Sequence, residues 1–301
     1  MANIIAVIWD CDKTLIDGYM QDPIFKEFDV DGHNFWKEID DIVADYEKKG
    51  IRINKDTYYL NHFIHRAQDG TFPGLDNAML REFGKVQKFY PGVPEIFEKT
   101  KKICEDPSYQ EYGIQVEHYI VSTGFAELIR GSVLAEHVEE IWGCELVERV
   151  DCNGNNVIGE AVYTIDNTTK TRAIFEINKG IPKLKEIEVN SKIPKELRRV
   201  QFENMIYIAD GPSDIPAFSV VKQNGGATFA IYPKGDMKAM KQVENMRQNG
   251  RVDMYAEADY TEGTTAYMWI VNAIQEMADK IRNNEKSKIM DCVSDVPRHL
   301  T

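Results

Sequence analysis

No stretch of this sequence is apolar for long enough to cross a membrane. Its opening residues lack the basic cluster and apolar segment of a secretory signal, so a cytoplasmic, reducing setting is expected. Positive charge is also short. Lys+Arg total 36 against Asp+Glu 49, a net charge of -13. That balance excludes a non-specific binder of nucleic acid or of anionic membrane, which needs a basic face. Cysteine is sparse and scattered: Cys11, Cys104, Cys144, Cys152 and Cys292 form no CxxC pair. Neither a disulfide framework nor a zinc site follows from that spacing. Internal repeats and low-complexity segments are missing too, which removes solenoids and disordered linkers.

What is present is an ordinary globular composition, 43% hydrophobic and 28% charged over 301 residues. The length suits one large domain, or a domain carrying an insertion. The chain opens on an apolar run through Ala6, Val7, Ile8 and Trp9 that stops abruptly at Asp10-Cys11-Asp12-Lys13-Thr14. Ligands of open α/β sheets collect beyond the carboxyl ends of strands, so Asp10 and Asp12 stand where chemistry is expected. Two carboxylates this close repel unless a cation or a proton relieves them.

From residue 17 to 87 the pattern turns helical and aromatic, with three helices expected: one through Phe35, Trp36 and Ile39, one over Thr57–Ala67, and one over Leu75–Val86. Tyr19, Phe25, Phe35, Trp36, Tyr58 and Tyr59 form either the core of this module or the wall of a ligand pocket. A second strand ends in Ser122-Thr123-Gly124, and a helix is expected over Ala126–Trp142. Asn and Gly between residues 145–150 and 157–164 signal a hairpin. Lys170 opens a helix that Gly180 ends. A third strand, Met205–Ala209, stops again in acid at Asp210-Gly211-Pro212-Ser213-Asp214, and Ala227–Tyr232 is a fourth. Strands alternating with helices predict an α/β fold, a Rossmann-like parallel sheet with helices on both faces. The expected division is a core of residues 1–16 and 88–281, a helical insertion over 17–87, and a loose tail over 282–301.

Three strand ends therefore carry polar residues that can meet at one edge: Asp10 and Asp12, Ser122, and Asp210 with Asp214. Four carboxylates, a hydroxyl and Lys170 suit phosphoryl transfer assisted by a hard divalent cation such as Mg²⁺. Lys179, at the far end of the same helix, is the alternative to Lys170, and Asp214 reads equally as a helix cap.

Asp10-Cys11-Asp12-Lys13-Thr14 resembles the DxDxT signature of the haloacid dehalogenase (HAD) superfamily. Ser122, Lys170 and Asp210-x-x-x-Asp214 are similar to its second, third and fourth motifs, in the same order. The insertion is similar to the helical cap of the phosphoserine-phosphatase-like branch. The resemblance implies that Asp10 is the nucleophile and Asp12 the general acid and base. It implies that Ser122, with Thr123, and Lys170 hold the phosphoryl group. Mg²⁺ would sit on Asp10, Asp12 through its main-chain carbonyl, and Asp210, with Asp214 and Thr14 supporting from behind. A cap of that kind opens for product release. An acid at Asp12 favours a phosphatase over a dehalogenase, because a halide leaves without a proton. The expected substrate is a small phosphorylated metabolite. Transfer to an acceptor other than water, or an idle scaffold with the same fold, are the alternatives, and the sequence does not set the oligomeric state.

Overall fold

Residues 4–9 are apolar throughout, the pattern of a strand buried on both faces, and with Asn3 they form β1 (Asn3–Trp9) at the centre of the sheet. A computed structural model describes residues 3–294 other than 152, 182 and 185, with side chains described through residue 290. Cys152, Cys292 as a side chain, and the end of the tail lie outside the described residues.

After β1 the chain forms four helices, α1 (Asp22–Glu27), α2 (Gly32–Lys48), α3 (Lys55–Gln68) and α4 (Asn77–Lys85). Asp31, Asn54 and Asp76 start the last three by accepting backbone N–H groups of the first turn. The chain then returns through α5 (Glu95–Ile103) and α6 (Pro107–Gln110) to β2 (Ile114–Phe125). There follow α7 (Ala126–Gly131), β3 (Glu140–Val150), β4 (Asn156–Tyr163), α8 (Lys170–Lys179) and β5 (Met205–Ala209). The last elements are α9 (Ile215–Gln223), β6 (Ala227–Tyr232), α10 (Met237–Gln248), β7 (Met254–Glu257) and α11 (Thr265–Ser294).

The seven strands lie in the order β4-β3-β2-β1-β5-β6-β7. All neighbours are parallel except β3 and β4, the expected hairpin. Register separates the two faces. Trp9, Ile208 and Phe229 are aligned across β1, β5 and β6. Trp9 meets Phe97 of α5 edge-on at 5.6 Å, and Phe229 stacks on Trp269 of α11 at 4.5 Å. One residue earlier, Tyr207 turns the other way and meets Phe218 of α9 at 5.3 Å. Helices thus cover both faces, and the apolar side chains of all layers merge into one core.

Several expectations need correction. The helix expected over Ala126–Trp142 stops at Gly131, a short 3-10 turn follows at Val133–Glu136, and β3 begins at Glu140. Ser132 ends the helix by using its hydroxyl on Ile129 O and Leu134 N. The insertion holds a fourth short helix, α1, and β7 is a short edge strand whose pattern was too brief to detect. Residues 282–294 are not a loose tail. No Gly or Pro interrupts Thr265–Ser294, so α11 runs on after its apolar face ends.

The face beneath α5 buries a histidine. Trp9 Nε1 donates to His118 Nδ1 (3.1 Å), so the proton of the neutral ring sits on Nε2, 2.9 Å from Thr100 Oγ1. Burial pushes the imidazole down from 6.5 to about 3. The unfolded chain therefore takes up a proton below its own pKa that the folded chain refuses. Stability on this account is full above 6.5 and falls as pH drops toward 3. Between about pH 7 and pH 5 the wild type should lose about 2 kcal/mol that His118→Gln does not, read by urea unfolding at both pH values.

Candidate active site

Asp10 follows β1 directly, and its N–H still bonds Ile208 O of β5 at 2.9 Å. The strand then breaks into a tight turn in which the N–H groups of Thr14, Leu15 and Ile16 converge on Cys11 O. Lys13 within it is held at φ 54°, a left-handed conformation that costs a non-glycine residue roughly 1–2 kcal/mol. Its ammonium meets the Tyr19 hydroxyl at 2.7 Å. Thr14 Oγ1 reaches back toward Asp10 Oδ2 (3.4 Å), while Tyr260 OH donates to Thr14 O (2.7 Å). Asp12 turns toward the insertion, where its Oδ1 accepts from Met20 N at 2.8 Å.

Register brings in the flanking strands. Trp9 pairs with Ile120 on one side and Ile208 on the other, so Ser122 and Asp210 stand at matching levels beside the Asp10–Asp12 turn. Ser122 is fully buried, and its Oγ accepts from Gly124 N at 3.0 Å. Thr123 is held by its backbone: its carbonyl accepts from Tyr59 OH (2.5 Å) and from Cys144 Sγ (3.2 Å).

Lys170 begins α8 on the Tyr207 side of the sheet and is 1% exposed, a buried lysine with two carboxylate partners. Its Nζ donates to Asp10 Oδ1 (2.7 Å) and Asp214 Oδ1 (2.6 Å). Burial works against its charge, but Asp10 and Asp214 overcome it and hold the pKa above the ordinary lysine value. Lys179 is elsewhere, donating to Val189 O and, at 2.7 Å, Ser191 O. Asp214 is held further by Tyr207 OH (2.7 Å) and Ser213 Oγ (2.9 Å), which also donate to it. Tyr207 escaped the sequence reading because a strand tyrosine looks like any core aromatic.

Carboxylate oxygens of Asp10, Asp210 and Asp214 all lie within 4.8 Å of one another. Burial raises Asp10 to about 6, Lys170 opposing and Asp214 adding to the rise. Burial and the Asp10 charge raise Asp210 to about 8. Asp12 is raised to about 7, again by burial first. One ammonium does not balance this much carboxylate, and an all-oxygen donor set short of positive charge fits a hard divalent cation.

A cleft of about 450 Å³ opens over this edge, within the usual range of small-molecule sites. Asp12, Thr123 and Ser213 line its floor, and Gln21, Trp36, Lys55, Asp56 and Tyr59 of the insertion form its walls. The other aromatics divide. Phe25, Phe35, Phe63 and Phe72 stack on one another within the insertion and are core. A larger cavity of about 540 Å³ lies behind the junction of insertion and sheet, lined by Ile16, Phe83 and Gln87 among others, and includes none of the four acids.

The insertion does not hang from a free hinge. Helix α4 lies backbone against backbone on α7: a Cβ on Gly84 would fall 2.2 Å from Leu128 O, and one on Gly131 2.1 Å from Arg81 O. Ile158 N bonds Leu75 O (2.8 Å), Asn77 Nδ2 bonds Leu146 O (2.8 Å), and Asn54 Nδ2 bonds Asp166 Oδ2 (2.9 Å). The whole-body opening expected of a cap would have to break all of these contacts.

No family model matches the sequence. Over 286 residues it is 36% identical to an uncharacterized protein of Borreliella burgdorferi (strain ATCC 35210 / DSM 4680 / CIP 102532 / B31), covering 90% of this chain and 97% of that one. Among solved structures it is similar to a HAD family hydrolase from Salmonella enterica subsp. enterica serovar Typhi. That match has a TM-score of 0.51 at 14% identity and covers 84% of this chain and 67% of the other. The chain thus belongs to one family with the Borreliella burgdorferi protein, and its α/β fold is that of the HAD hydrolases, as the four sequence motifs anticipate.

Proposed function

We propose that this protein is a phosphomonoesterase acting on a small phosphorylated metabolite, with Asp10 as the nucleophile. The observation that carries the reading is the buried contact of Lys170 with Asp10 and Asp214, beside Asp210, on the same sheet edge as the cleft lined by Asp12, Thr123 and Ser213. Asp10 and Asp210, with the Asp12 main-chain carbonyl, are the residues that would hold Mg²⁺, and Asp214 would steady them through Lys170. When bound, such a cation neutralises charge on the phosphoryl oxygens.

The remaining work belongs to the chain. Asp10 attacks phosphorus and forms an aspartyl-phosphate as the alkoxide leaves. Asp12, facing the insertion, gives that alkoxide its proton and later takes one from the attacking water. Ser122 and Thr123 offer donors to the phosphoryl group, and the Lys170 ammonium neutralises it. The cleft's volume favours small substrates over folded phosphoproteins.

The expected result is Mg²⁺-dependent hydrolysis of p-nitrophenyl phosphate that EDTA abolishes and added Mg²⁺ restores. Asp10→Asn should lower kcat by more than about 10³-fold without unfolding the protein. Turnover that survives this substitution in correctly folded protein would remove Asp10 as nucleophile.

A further inference from the structure

The floor of the cleft accounts for phosphoryl transfer; its walls are left to recognise the alcohol that departs. Three observations on those walls agree. Gln21 is 2% exposed, lines the cleft next to the loop that holds Asp12, and its Oε1 finds no hydrogen-bond donor among the described residues. A buried amide carbonyl without a partner keeps its desolvation penalty, which a bound donor would recover. Asp56, also on the wall, has no ion-pair partner within 4 Å among the described residues. Lys55, the one cation among the described residues lining the cleft, is already paired with Asp40. Trp36 and Tyr59 complete the wall with their rings 5.6 Å apart. A carboxylate, an orphaned carbonyl and two π faces all favour a positive group carrying N–H donors, and none of them favours an anion.

We propose that the alcohol portion of the substrate carries a protonated amine, received by Asp56 and Gln21 against Trp36 and Tyr59. This assignment rests on the phosphomonoesterase reading for its reaction, but its recognition chemistry is separable from turnover. A primary ammonium suits the site better than a quaternary one, because Gln21 Oε1 needs a hydrogen to accept. A second carboxylate on the alcohol is disfavoured, since Lys55 is engaged.

The test compares 2-aminoethyl phosphate with 2-hydroxyethyl phosphate, its neutral counterpart of equal length, and with 2-phosphoglycolate, its anionic one. In the wild type with Mg²⁺, kcat/KM for the amine should exceed that of the neutral ester by about 10-fold or more. Asp56→Asn should bring that ratio close to one, and Gln21→Met should lower it several-fold, each variant being judged by its own ratio. Binding to Asp10→Asn, measured by calorimetry, should show the same order of Kd without any turnover. If p-nitrophenyl phosphate is not hydrolysed but the binding ratio holds, the catalytic reading fails and the recognition site stands. If p-nitrophenyl phosphate is hydrolysed and the amine has no advantage in kcat/KM or in Kd, the recognition site is wrong. A preference for 2-phosphoglycolate, or a ratio unchanged in Asp56→Asn, overturns it as well.

Discussion

Lys170→Met should lose both activity and stability. The ammonium is buried between Asp10 and Asp214, at 2.7 and 2.6 Å. Methionine matches the length of the stem but supplies no charge, which leaves two carboxylates facing each other in a buried site. Breaking a buried ion pair from one side costs about 3–5 kcal/mol, because the abandoned charge keeps its desolvation penalty. Turnover should fall by roughly 10²–10³-fold, the usual loss when one charged contact to the reacting group is removed. Urea unfolding with and without Mg²⁺ separates the two effects. A cation bound to the remaining carboxylates should recover part of the stability and little of the rate. Lys170→Arg is not a conservative exchange here. A planar guanidinium needs more room than a site 1% exposed on all sides provides. A Lys170→Met protein as stable as the wild type would show that the two ion pairs do not form.

Gly131→Ala should destabilise the protein by about 3 kcal/mol or more, although alanine is ordinarily the better helix residue. Its Cβ would lie 2.1 Å from Arg81 O and 2.4 Å from Arg81 Cα, and backbone cannot swing aside as a flexible side chain can. Relief requires α4 to move away from α7, which shifts the insertion that walls the cleft. Loss of stability should therefore be accompanied by a raised KM. Gly84→Ala attacks the same contact from the other helix, with Leu128 O at 2.2 Å. The double variant should cost clearly less than the two single losses combined, since one separation of the helices accommodates both methyl groups. Full additivity would mean that the two glycines do not meet in one contact. Thermal unfolding at matched protein concentration gives all three values.

Much of the site was legible because its signals are local. A run of apolar residues that stops at Asp10, or at Asp210, marks a strand end by itself, and parallel topology brings such ends to one edge. Lys170 was harder. Lysine at a helix start is usually solvated, and only the pairing with Asp10 and Asp214 distinguishes it from Lys179, which bonds backbone carbonyls far along the same helix. Tyr207 and Gln21 carried no signal, because a strand tyrosine and a loop glutamine are common in any sequence. The helix expected through residue 142 failed for a similar reason. Gly131 lies there to let α4 approach, and glycine's meaning in a sequence depends on what comes near it.

The sequence by itself determined the parallel α/β sheet, the helical insertion after the first strand and the acid-tipped strand ends, all of which follow from periodicity and punctuation within short windows. Only the tertiary structure decided that one lysine is buried between two aspartates, that the insertion is locked to α7 through paired glycines, and which insertion residues look into the cleft. The lysine and glycine contacts join residues 44 to 160 positions apart. Their energy comes from desolvation and close approach, which exist only once the layers have packed.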